Sequence, residues 1–290
     1  MPYKIAIASG KGGTGKTSVS VSMQHFIRKQ FTNQVQLIDC DVEEPNDILF
    51  FPNAKKKNSK IITQRVPKID KNQCNFCKKC ADYCEFNAIS IIPSIKMAKV
   101  NSSLCHSCGA CLVACEQSAI KETEQPIGLM NFYHEKNHIN LIEGELKIGS
   151  AMQTLVIKEV KKQASKQSQI ILYDAPPGTS CPVVETISDV DFIILVSEPT
   201  PFGLHDLKLM VELLKELQKP YSVIINKAGI GNRDIYTYLK QEQIEILGEI
   251  PFDQEYATNY ANGSLLKTIP QKISKEFEII TDKLIKRVYA

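Results

Sequence analysis

The chain has 290 residues, enough for one large α/β domain and one small domain. Its hydrophobic fraction of 43% and charged fraction of 23% are typical of a globular protein, and a net charge of +3 does not indicate a nucleic-acid partner. No apolar run approaches the ~20 residues that span a bilayer, and residues 1–10 lack a signal-peptide pattern. We therefore expect a cytoplasmic protein with neither a membrane nor a nucleic-acid partner. In that compartment, ten cysteines indicate metal or redox chemistry rather than disulfides.

Strand-length apolar runs alternate with helix-like stretches at both ends of the chain. The strand-like runs lie at 3–9, 35–39, 170–174, 191–197, 221–226 and 244–250. The helix-like stretches lie at 17–30, 151–165, 203–217, 234–242 and 270–288. Strands this apolar are typical of a parallel sheet with both faces covered. The alternation predicts an α/β fold with a doubly wound, mostly parallel sheet.

Residues 9–18, SGKGGTGKTS, follow the first strand and open the first helix. They contain the phosphate-loop pattern G-x-x-x-x-G-K-S/T, whose backbone N–H groups cradle phosphates at a helix N-terminus. We predict that Lys16 contacts the β- and γ-phosphates and that the Thr17 hydroxyl holds Mg²⁺. The predicted ATP-binding residues of this loop are Gly10, Gly12, Gly13, Thr14, Gly15, Lys16, Thr17 and Ser18.

The segment from about residue 55 to 148 interrupts the alternation. It opens with the basic stretch NAKKKNSK at 53–60, which we expect to be a solvated loop, and it holds eight of the ten cysteines. The run CNFCKKCADYCEFNAI from Cys74 recurs 31 residues later as CHSCGACLVACEQSAI from Cys105. We predict a small duplicated domain at 59–125, inserted between two parts of an ATPase domain at 1–58 and 126–290.

Both copies of the repeat read C-x2-C-x2-C-x3-C, the spacing of bacterial-type ferredoxins with two 4Fe–4S clusters. Three thiolates on one tight loop reach one cubane, while the fourth points toward the other cubane. The predicted ligands are Cys74, Cys77, Cys80 and Cys115 for one cluster, and Cys84, Cys105, Cys108 and Cys111 for the other. Zinc and disulfides remain the alternatives. Two copies of a four-cysteine run fit zinc poorly, because zinc sites pair two C-x2-C units or include histidine.

The resemblance to two-cluster ferredoxins covers about 50 residues and implies a small α+β domain. One departure is clear, because Glu85 and Glu116 stand where a proline usually follows the fourth cysteine. Proline is not a ligand, so the cluster prediction stands. Two carboxylates close to the clusters would lower the reduction potentials, since added negative charge disfavours the reduced state.

The stretch KGGTGKTS resembles the deviant Walker A loop of the MinD/ParA/Mrp ATPase family, which includes the nitrogenase iron protein. The resemblance implies that Lys11 crosses a dimer interface and stabilises charge on the nucleotide of the partner subunit, as an arginine finger does. It therefore implies an ATP-dependent homodimer. Taken alone, Lys11 could equally be a solvated loop lysine.

Three further stretches resemble motifs of this family. The switch I-like LIDCDVEEPN (37–46) implies that Asp41 orients or activates the attacking water and that Asp39 lies near Mg²⁺. The Walker B-like ILYDAPPGTS (171–180) implies that Asp174 lies beside Mg²⁺. VIINKAG (223–229) has Asn226 where the family contacts adenine. A turn cap is the alternative role for Asp41, and a strand-end turn is the alternative for Asn226.

Two features near the C-terminal half need separate interpretation. Cys181 lies seven residues after Asp174, where the nitrogenase iron protein has a cluster-ligating cysteine, but no second such cysteine is evident and we expect an unligated thiol. The last helix carries a helically spaced apolar face, which we expect to pack on the sheet rather than bind a membrane. That face comprises Ile273, Phe277, Ile280, Leu284 and Val288.

Three functions remain open at this point. The first is an ATP-gated electron carrier that acts on a redox partner protein. The second is an ATPase that assembles or delivers metalloclusters to a partner, and the third is a regulatory or positioning ATPase that senses redox state. The expected cofactors are ATP, Mg²⁺ and two 4Fe–4S clusters.

Overall fold

The structure, a computed structural model, describes residues 1–31, 34–135 and 138–289. The strands are β1 Tyr3–Ala8, β2 Val35–Asp39, β3 Lys55–Ile69, β4 Ile89–Ile92, β5 Met97–Val100, β6 Ile120–Glu135, β7 His138–Leu146, β8 Ile170–Asp174, β9 Phe192–Ser197, β10 Tyr221–Ala228 and β11 Ile246–Pro251. The helices are α1 Lys16–Gln30, α2 Lys79–Asp82, α3 Ala110–Val113, α4 Gln153–Lys161, α5 Cys181–Ile187, α6 Pro201–Glu216, α7 Asp234–Gln241, α8 Gln254–Ala261 and α9 Gln271–Val288.

The chain divides into two compact units. The large unit comprises Met1–Ser59, Met130–Glu145 and Ile157–Ala290, and the small unit comprises Lys60–Leu129 and Leu146–Val156. Among the described residues, no helix has both the length and the apolar character that crossing a membrane requires.

Nine strands form one sheet in the order β11-β10-β9-β1-β8-β2-β7-β6-β3. Neighbouring strands from β11 to β7 run parallel, with Ile5 of β1 opposite Leu172 of β8 and Phe192 of β9. The predicted α/β fold with a mostly parallel sheet is confirmed. Because the strands are parallel, β1, β2, β8, β9 and β10 all end at the same edge of the sheet, where α/β proteins bind ligands.

The basic stretch at 53–60 is not the solvated loop that the sequence predicted. Residues 55–60 belong to β3, although their side chains are exposed as expected. β6 lies beside β3 in the sheet, and Ser59 Oγ donates a hydrogen bond to Asn131 Oδ1 of β6 at 2.7 Å. A paired neighbour lets polar residues adopt strand geometry, because β-propensity depends more on pairing than on composition.

The last helix, α9, contributes its apolar face to the main core of the large unit. Ile273, Phe277, Ile280 and Leu284 are fully buried, and the Phe277 ring stacks on Phe26 of α1 with 5.5 Å between centroids. Burial of such a side chain contributes about 1.5–3 kcal/mol. The packing role that the sequence predicted for this helix is therefore confirmed.

The duplication in the small unit is visible in the backbone as well as in the sequence. Residues with a positive φ recur at the 31-residue offset, although few side chains adopt this conformation readily. The pairs are Phe76 and Ser107 (58° and 55°), Lys78 and Gly109 (68° and 76°), and Asn87 and Ser118 (51° and 50°). The helices α2 and α3 start at the same offset, so the two copies fold alike.

Candidate functional site

The loop between β1 and α1 contains the predicted phosphate-binding residues. Gly13 and Gly15 have φ of 80° and 89°, which favours glycine. A Cβ on Gly10 would overlap the backbone of Asp206, and a Cβ on Gly15 would overlap the amide of Asn226. The loop path therefore requires glycine at these positions, and it leads to the N-terminus of α1, where backbone N–H groups favour anions.

The remaining predicted loop residues differ in exposure. Thr14 and Ser18 are buried, whereas Gly12 is exposed and has nothing within 4 Å of the place a Cβ would take. The Asn226 amide donates a 2.7 Å hydrogen bond to the carbonyl of Thr14. Asn226, which the sequence assigned to adenine, therefore lies directly against the loop.

Asp174, the last residue of β8, joins the loop to the sheet. Its Oδ1 lies 2.8 Å from Lys16 Nζ and accepts a 2.6 Å hydrogen bond from Ser20 Oγ, while its Oδ2 accepts one from Thr17 Oγ1 at 3.1 Å. Burial by itself would lower the pKa of Lys16, but attraction from the nearby aspartates, Asp174 first, outweighs it and raises the pKa. The structure thus brings together Lys16, Thr17 and Asp174, as the motifs predicted.

Asp39 ends β2 directly opposite Asp174 in the neighbouring strand. Its Oδ1 accepts the N–H of Asp41 at 3.0 Å, and its Oδ2 accepts those of Asn46 and Asp47 at 3.0 and 3.2 Å. Burial, followed by repulsion from Asp174, raises the pKa of Asp39 to about 8. Asp39 therefore organises the backbone of the switch I-like segment.

Asp41 lies at the start of that segment and is partly exposed. Burial, the largest cause, and repulsion from Asp174 outweigh the attraction of Lys16 and raise the pKa of Asp41 from 3.8 to about 6. The side chain is thus an ionised carboxylate at neutral pH with a pKa close to the working range of a general base.

Lys11 forms an ion pair within its own chain. Its Nζ lies 2.8 Å from Oε1 of Glu198, which follows β9, and 5.9 Å from the centre of the exposed Phe202 ring. The other oxygen of Glu198 lies 2.8 Å from Lys227, whose ammonium also donates to the Gly13 carbonyl at 3.0 Å. Although burial favours the neutral acid, hydrogen bonds from the two lysines lower the pKa of Glu198.

Sequence reasoning missed Ser20, Glu198 and Lys227. Ser20 lies one helical turn after Lys16, so helical spacing offered a signal that it faces the same partner. Lys227 follows Asn226 directly, which placed it close to the site. Glu198 is 187 residues from Lys11 in the chain, and no local pattern indicates that pairing.

The eight cysteines of the small unit line two separate cavities. Each cavity takes three cysteines from one copy of the repeat and one cysteine from the other copy. One is lined by Cys74, Cys77, Cys80 and Cys115, and the other by Cys84, Cys105, Cys108 and Cys111. The structure therefore groups these residues into the two sets that the spacing predicted.

The cavity walls supply hydrogen bonds to sulfur. The backbone N–H groups of Phe76 and Ser107 donate to the Sγ atoms of Cys74 and Cys105, each at 3.4 Å, and these contacts again repeat at the 31-residue offset. Such bonds favour a negatively charged sulfur.

Burial raises the pKa of several thiols in these cavities. The effect is seen at Cys80 and Cys105, and at Cys111 the pKa reaches about 11. These thiols are therefore protonated at neutral pH, and a metal bound there would have to displace the protons. Of the two glutamates that replace proline, Glu116 pairs with Lys79 at 2.5 Å, which offsets its charge.

The two remaining cysteines lie outside both cavities. Cys40 is completely buried in the large unit, and Cys181 is exposed at the first position of α5.

Residues 5–266 match the model of the CobQ/CobB/MinD/ParA nucleotide binding domain. The chain belongs to this family. The uncharacterized protein MJ0578 of Methanocaldococcus jannaschii is 35% identical over 284 residues, which are 97% of this chain and 96% of that protein. The iron-sulfur cluster carrier protein of Pyrococcus abyssi is 23% identical over 266 residues, covering 87% of this chain and 74% of the carrier.

Solved structures support the same MinD/ParA fold. The septum site-determining protein MinD of Pyrococcus horikoshii, complexed with Mg-ADP, matches with a TM-score of 0.61 at 19% identity over 99% of this chain and 97% of MinD. A plasmid partition protein of Borrelia burgdorferi bound to AMPPNP matches with a TM-score of 0.57 at 17% identity, covering 99% and 100% of the two chains. The large unit is thus a P-loop nucleotide-binding domain of the MinD/ParA type.

Proposed function

We propose that this protein is an ATP-hydrolysing homodimer whose nucleotide state controls electron transfer through two 4Fe–4S clusters. The observation that carries the proposal is that a single chain contains both a P-loop centre and two cavities with four cysteines each. Neither feature alone requires the other. Their combination indicates that nucleotide chemistry acts on a metal-bound, electron-carrying state.

In the ATP site, the loop from Gly10 to Ser18 binds the phosphates through its backbone N–H groups. Lys16 leaves Asp174 to contact the β- and γ-phosphates, because the dense negative charge of the phosphates attracts it more strongly. Thr17, Asp39 and Asp174 would hold Mg²⁺, and Thr17 Oγ1 already lies 3.1 Å from Asp174 Oδ2. Asn226 contacts adenine from its position beside Thr14.

Asp41 orients the attacking water and accepts its proton. It is ionised at neutral pH, and its pKa of about 6 lies far closer to the working pH than that of an ordinary aspartate. The backbone at Asp41 is also fixed, since Asp39 Oδ1 accepts the N–H of Asp41 at 3.0 Å.

Lys11 supplies the contact between subunits. When a second subunit closes on the nucleotide, Lys11 exchanges Glu198 of its own chain for the phosphates bound to the partner. Lys11→Ala should therefore leave nucleotide binding nearly intact while it suppresses dimerisation and turnover. Normal turnover in this variant would contradict the role assigned to Lys11.

The two cysteine cavities fit a pair of cubane clusters better than zinc. Each cavity combines the three cysteines of one C-x2-C-x2-C run with a remote fourth cysteine, as in two-cluster ferredoxins. A zinc site would instead pair two C-x2-C units or use a histidine ligand, and the histidine that lines one cavity, His106, stacks its ring on Phe86 with 3.7 Å between centroids. When bound, the clusters supply one-electron transfer, and the Phe76 and Ser107 N–H groups stabilise the charged sulfur ligands.

Iron analysis of paired cysteine variants tests the cluster assignment. Anaerobically purified protein should contain about eight iron and eight sulfide per chain. Cys77→Ala with Cys115→Ala removes two ligands from one cavity and should leave about four iron. Cys108→Ala with Cys115→Ala removes one ligand from each cavity and should leave far less than four iron per chain.

Cys181→Ala is the matched control and should keep the full iron content, because Cys181 lies outside both cavities. The reverse order of iron content in the two double variants would show that each copy of the repeat holds its own cluster. A colourless protein that contains zinc would contradict the proposal as a whole.

Delivery of a cluster to another protein is the second candidate function. It is favoured by the similarity to proteins named iron-sulfur cluster carrier protein. This function predicts that iron and sulfide pass from the chain to an apo-ferredoxin acceptor when ATP is added. Clusters that stay on the chain throughout ATP turnover would exclude delivery and leave electron transfer and redox sensing.

A further inference from the structure

Asp47, the residue that directly follows the switch I-like segment, has an unusual environment. It begins the short 3-10 helix Asp47–Phe50 and is completely buried. Within the described part of the chain, neither of its carboxylate oxygens has a hydrogen-bond partner. Buried polar groups nearly always have such partners, so an orphaned carboxylate points to a missing ion or to another unseen partner.

The orphaned carboxylate faces two others. One oxygen from each of Asp39, Asp47 and Asp174 lies within 4.8 Å of the other two, and all three residues are buried. Asp39 and Asp174 are already fixed by the backbone and side-chain hydrogen bonds described above. Each carboxylate oxygen can accept more than one bond, so both residues retain capacity to bind an ion.

A fourth buried carboxylate lies on the neighbouring strand. Glu143 is opposite Asp39 in β7, and one of its oxygens accepts hydrogen bonds from Asn131 and Tyr133 at 2.8 and 2.6 Å. Its other oxygen has no partner among the described residues. Repulsion from Glu143 also acts on Asp47 and contributes to the raised pKa of Asp47, after burial and the two nearer aspartates.

Little positive charge lies near these carboxylates. Lys16 is the cation that acts on Asp39, Asp47 and Asp174 together. A single ammonium group cannot balance three ionised carboxylates, so a divalent cation would be needed for all three to ionise together. Carboxylates without sulfur or imidazole form the donor set that Mg²⁺ and Mn²⁺ prefer.

We propose that Asp39, Asp47 and Asp174 form a divalent-cation site that binds Mg²⁺ or Mn²⁺ in the absence of nucleotide. The inference rests on the proposed function in one respect, since Asp39 and Asp174 also belong to the proposed Mg-ATP site. Asp47 and nucleotide-independent binding are new. The cation would be in place before ATP arrives, and Glu143 would strengthen the site through its charge without contacting the ion.

Titration with Mn²⁺ in the absence of nucleotide tests this site. Free Mn²⁺ is followed by electron paramagnetic resonance in cluster-loaded, full-length protein from which divalent ions have been removed. The wild-type chain should take up one Mn²⁺. Asp47→Asn should weaken that binding about 10–100-fold or more, because outer-shell substitutions alone have effects of that size.

Glu43→Gln is the matched control, since it removes an exposed carboxylate four residues from Asp47 and should leave Mn²⁺ affinity unchanged. Asp47→Asn should keep its affinity for a fluorescent ATP analogue in the presence of EDTA. No Mn²⁺ uptake by the wild-type chain, or equal uptake by Asp47→Asn, would overturn the inference. The wild-type result decides even if a variant fails to fold, and an absence of ATP hydrolysis would instead contradict the proposed function.

Discussion

At the scale of single residues, Glu198 determines where Lys11 lies. Glu198 is largely buried and holds Lys11 and Lys227 at 2.8 Å each. Lys227 also contacts the loop carbonyl of Gly13, so the pair of lysines links the end of β9 to the phosphate loop. In the proposed dimer, the contact between Glu198 and Lys11 must break before Lys11 can reach the partner's nucleotide.

Glu198→Gln should therefore promote dimerisation. Partly exposed ion pairs contribute about 0.2–1 kcal/mol, which corresponds to about a 1.4- to fivefold tighter dimer for each Lys11 released. Sedimentation velocity with ATP, in an Asp41→Asn background that does not hydrolyse it, measures the dimer dissociation constant. Glu242→Gln breaks the remote pair with Lys215 and serves as control. An unchanged constant in Glu198→Gln would show that Glu198 does not restrain Lys11.

The proposed role of Asp41 as a general base predicts that the rate of hydrolysis depends on pH. Because Asp41 must be ionised to accept a proton and its pKa lies at about 6, kcat/KM should fall about tenfold per pH unit below pH 6. Above pH 6, where Asp41 is ionised, the contribution of Asp41 to kcat/KM should no longer change with pH. If kcat/KM began to fall only near pH 4, where an ordinary aspartate titrates, this assignment would be wrong. It would also be wrong if Asp41→Asn had the same rate and the same pH profile as the wild type.

The motifs predicted some of these residues and not others, for a physical reason. A phosphate loop is a local backbone conformation, so the spacing of its glycines and the lysine after the last glycine can be recognised directly in SGKGGTGKTS. The pairing of Lys11 with Glu198, and the burial of Asp47 against Asp174, depend on which strands become neighbours. Strand order is a property of the whole sheet, and no short stretch of sequence encodes it.

At the scale of secondary structure elements, α9 shows how an amphipathic pattern becomes core. Phe277 is fully buried against Phe26, whereas Ile279 on the same helix is 41% exposed. Phe277→Ala should lower the free energy of unfolding by about 3–5 kcal/mol. Ile279→Ala is the matched control and should change it by about 0.5 kcal/mol or less.

Chemical denaturation monitored by circular dichroism measures both α9 variants. Equal losses of stability in Phe277→Ala and Ile279→Ala would contradict the packing of α9. A loss confined to Phe277→Ala would support it.

Other elements were harder to predict. The apolar pattern of α8 is weak, and the sequence analysis did not predict this helix. Asp253 is nevertheless a typical N-cap residue, and its side chain accepts the Tyr256 N–H at 2.9 Å. The strand at 55–60 was mistaken for a loop because its basic side chains are exposed. In both cases tertiary partners, rather than local preference, stabilise the element.

At the scale of the whole molecule, the proposed function joins nucleotide chemistry and redox chemistry in one chain. A MinD/ParA-type nucleotide-binding domain supplies the proposed nucleotide-dependent change of state, and the duplicated cysteine loops supply two proposed redox centres. If ATP favours one redox state of the clusters, then reduction must change the affinity for ATP by the same factor. This reciprocity makes the proposed coupling measurable from either site.

The midpoint potentials of the clusters, measured anaerobically with AMPPNP and with ADP, test the central claim most directly. We expect the potential with AMPPNP to differ from the potential with ADP, and we expect Lys11→Ala to abolish the difference. For a one-electron couple, the difference is about 59 mV for each tenfold factor by which reduction changes the relative affinity for the two nucleotides. Identical potentials with AMPPNP and ADP in the wild-type protein would contradict the central claim.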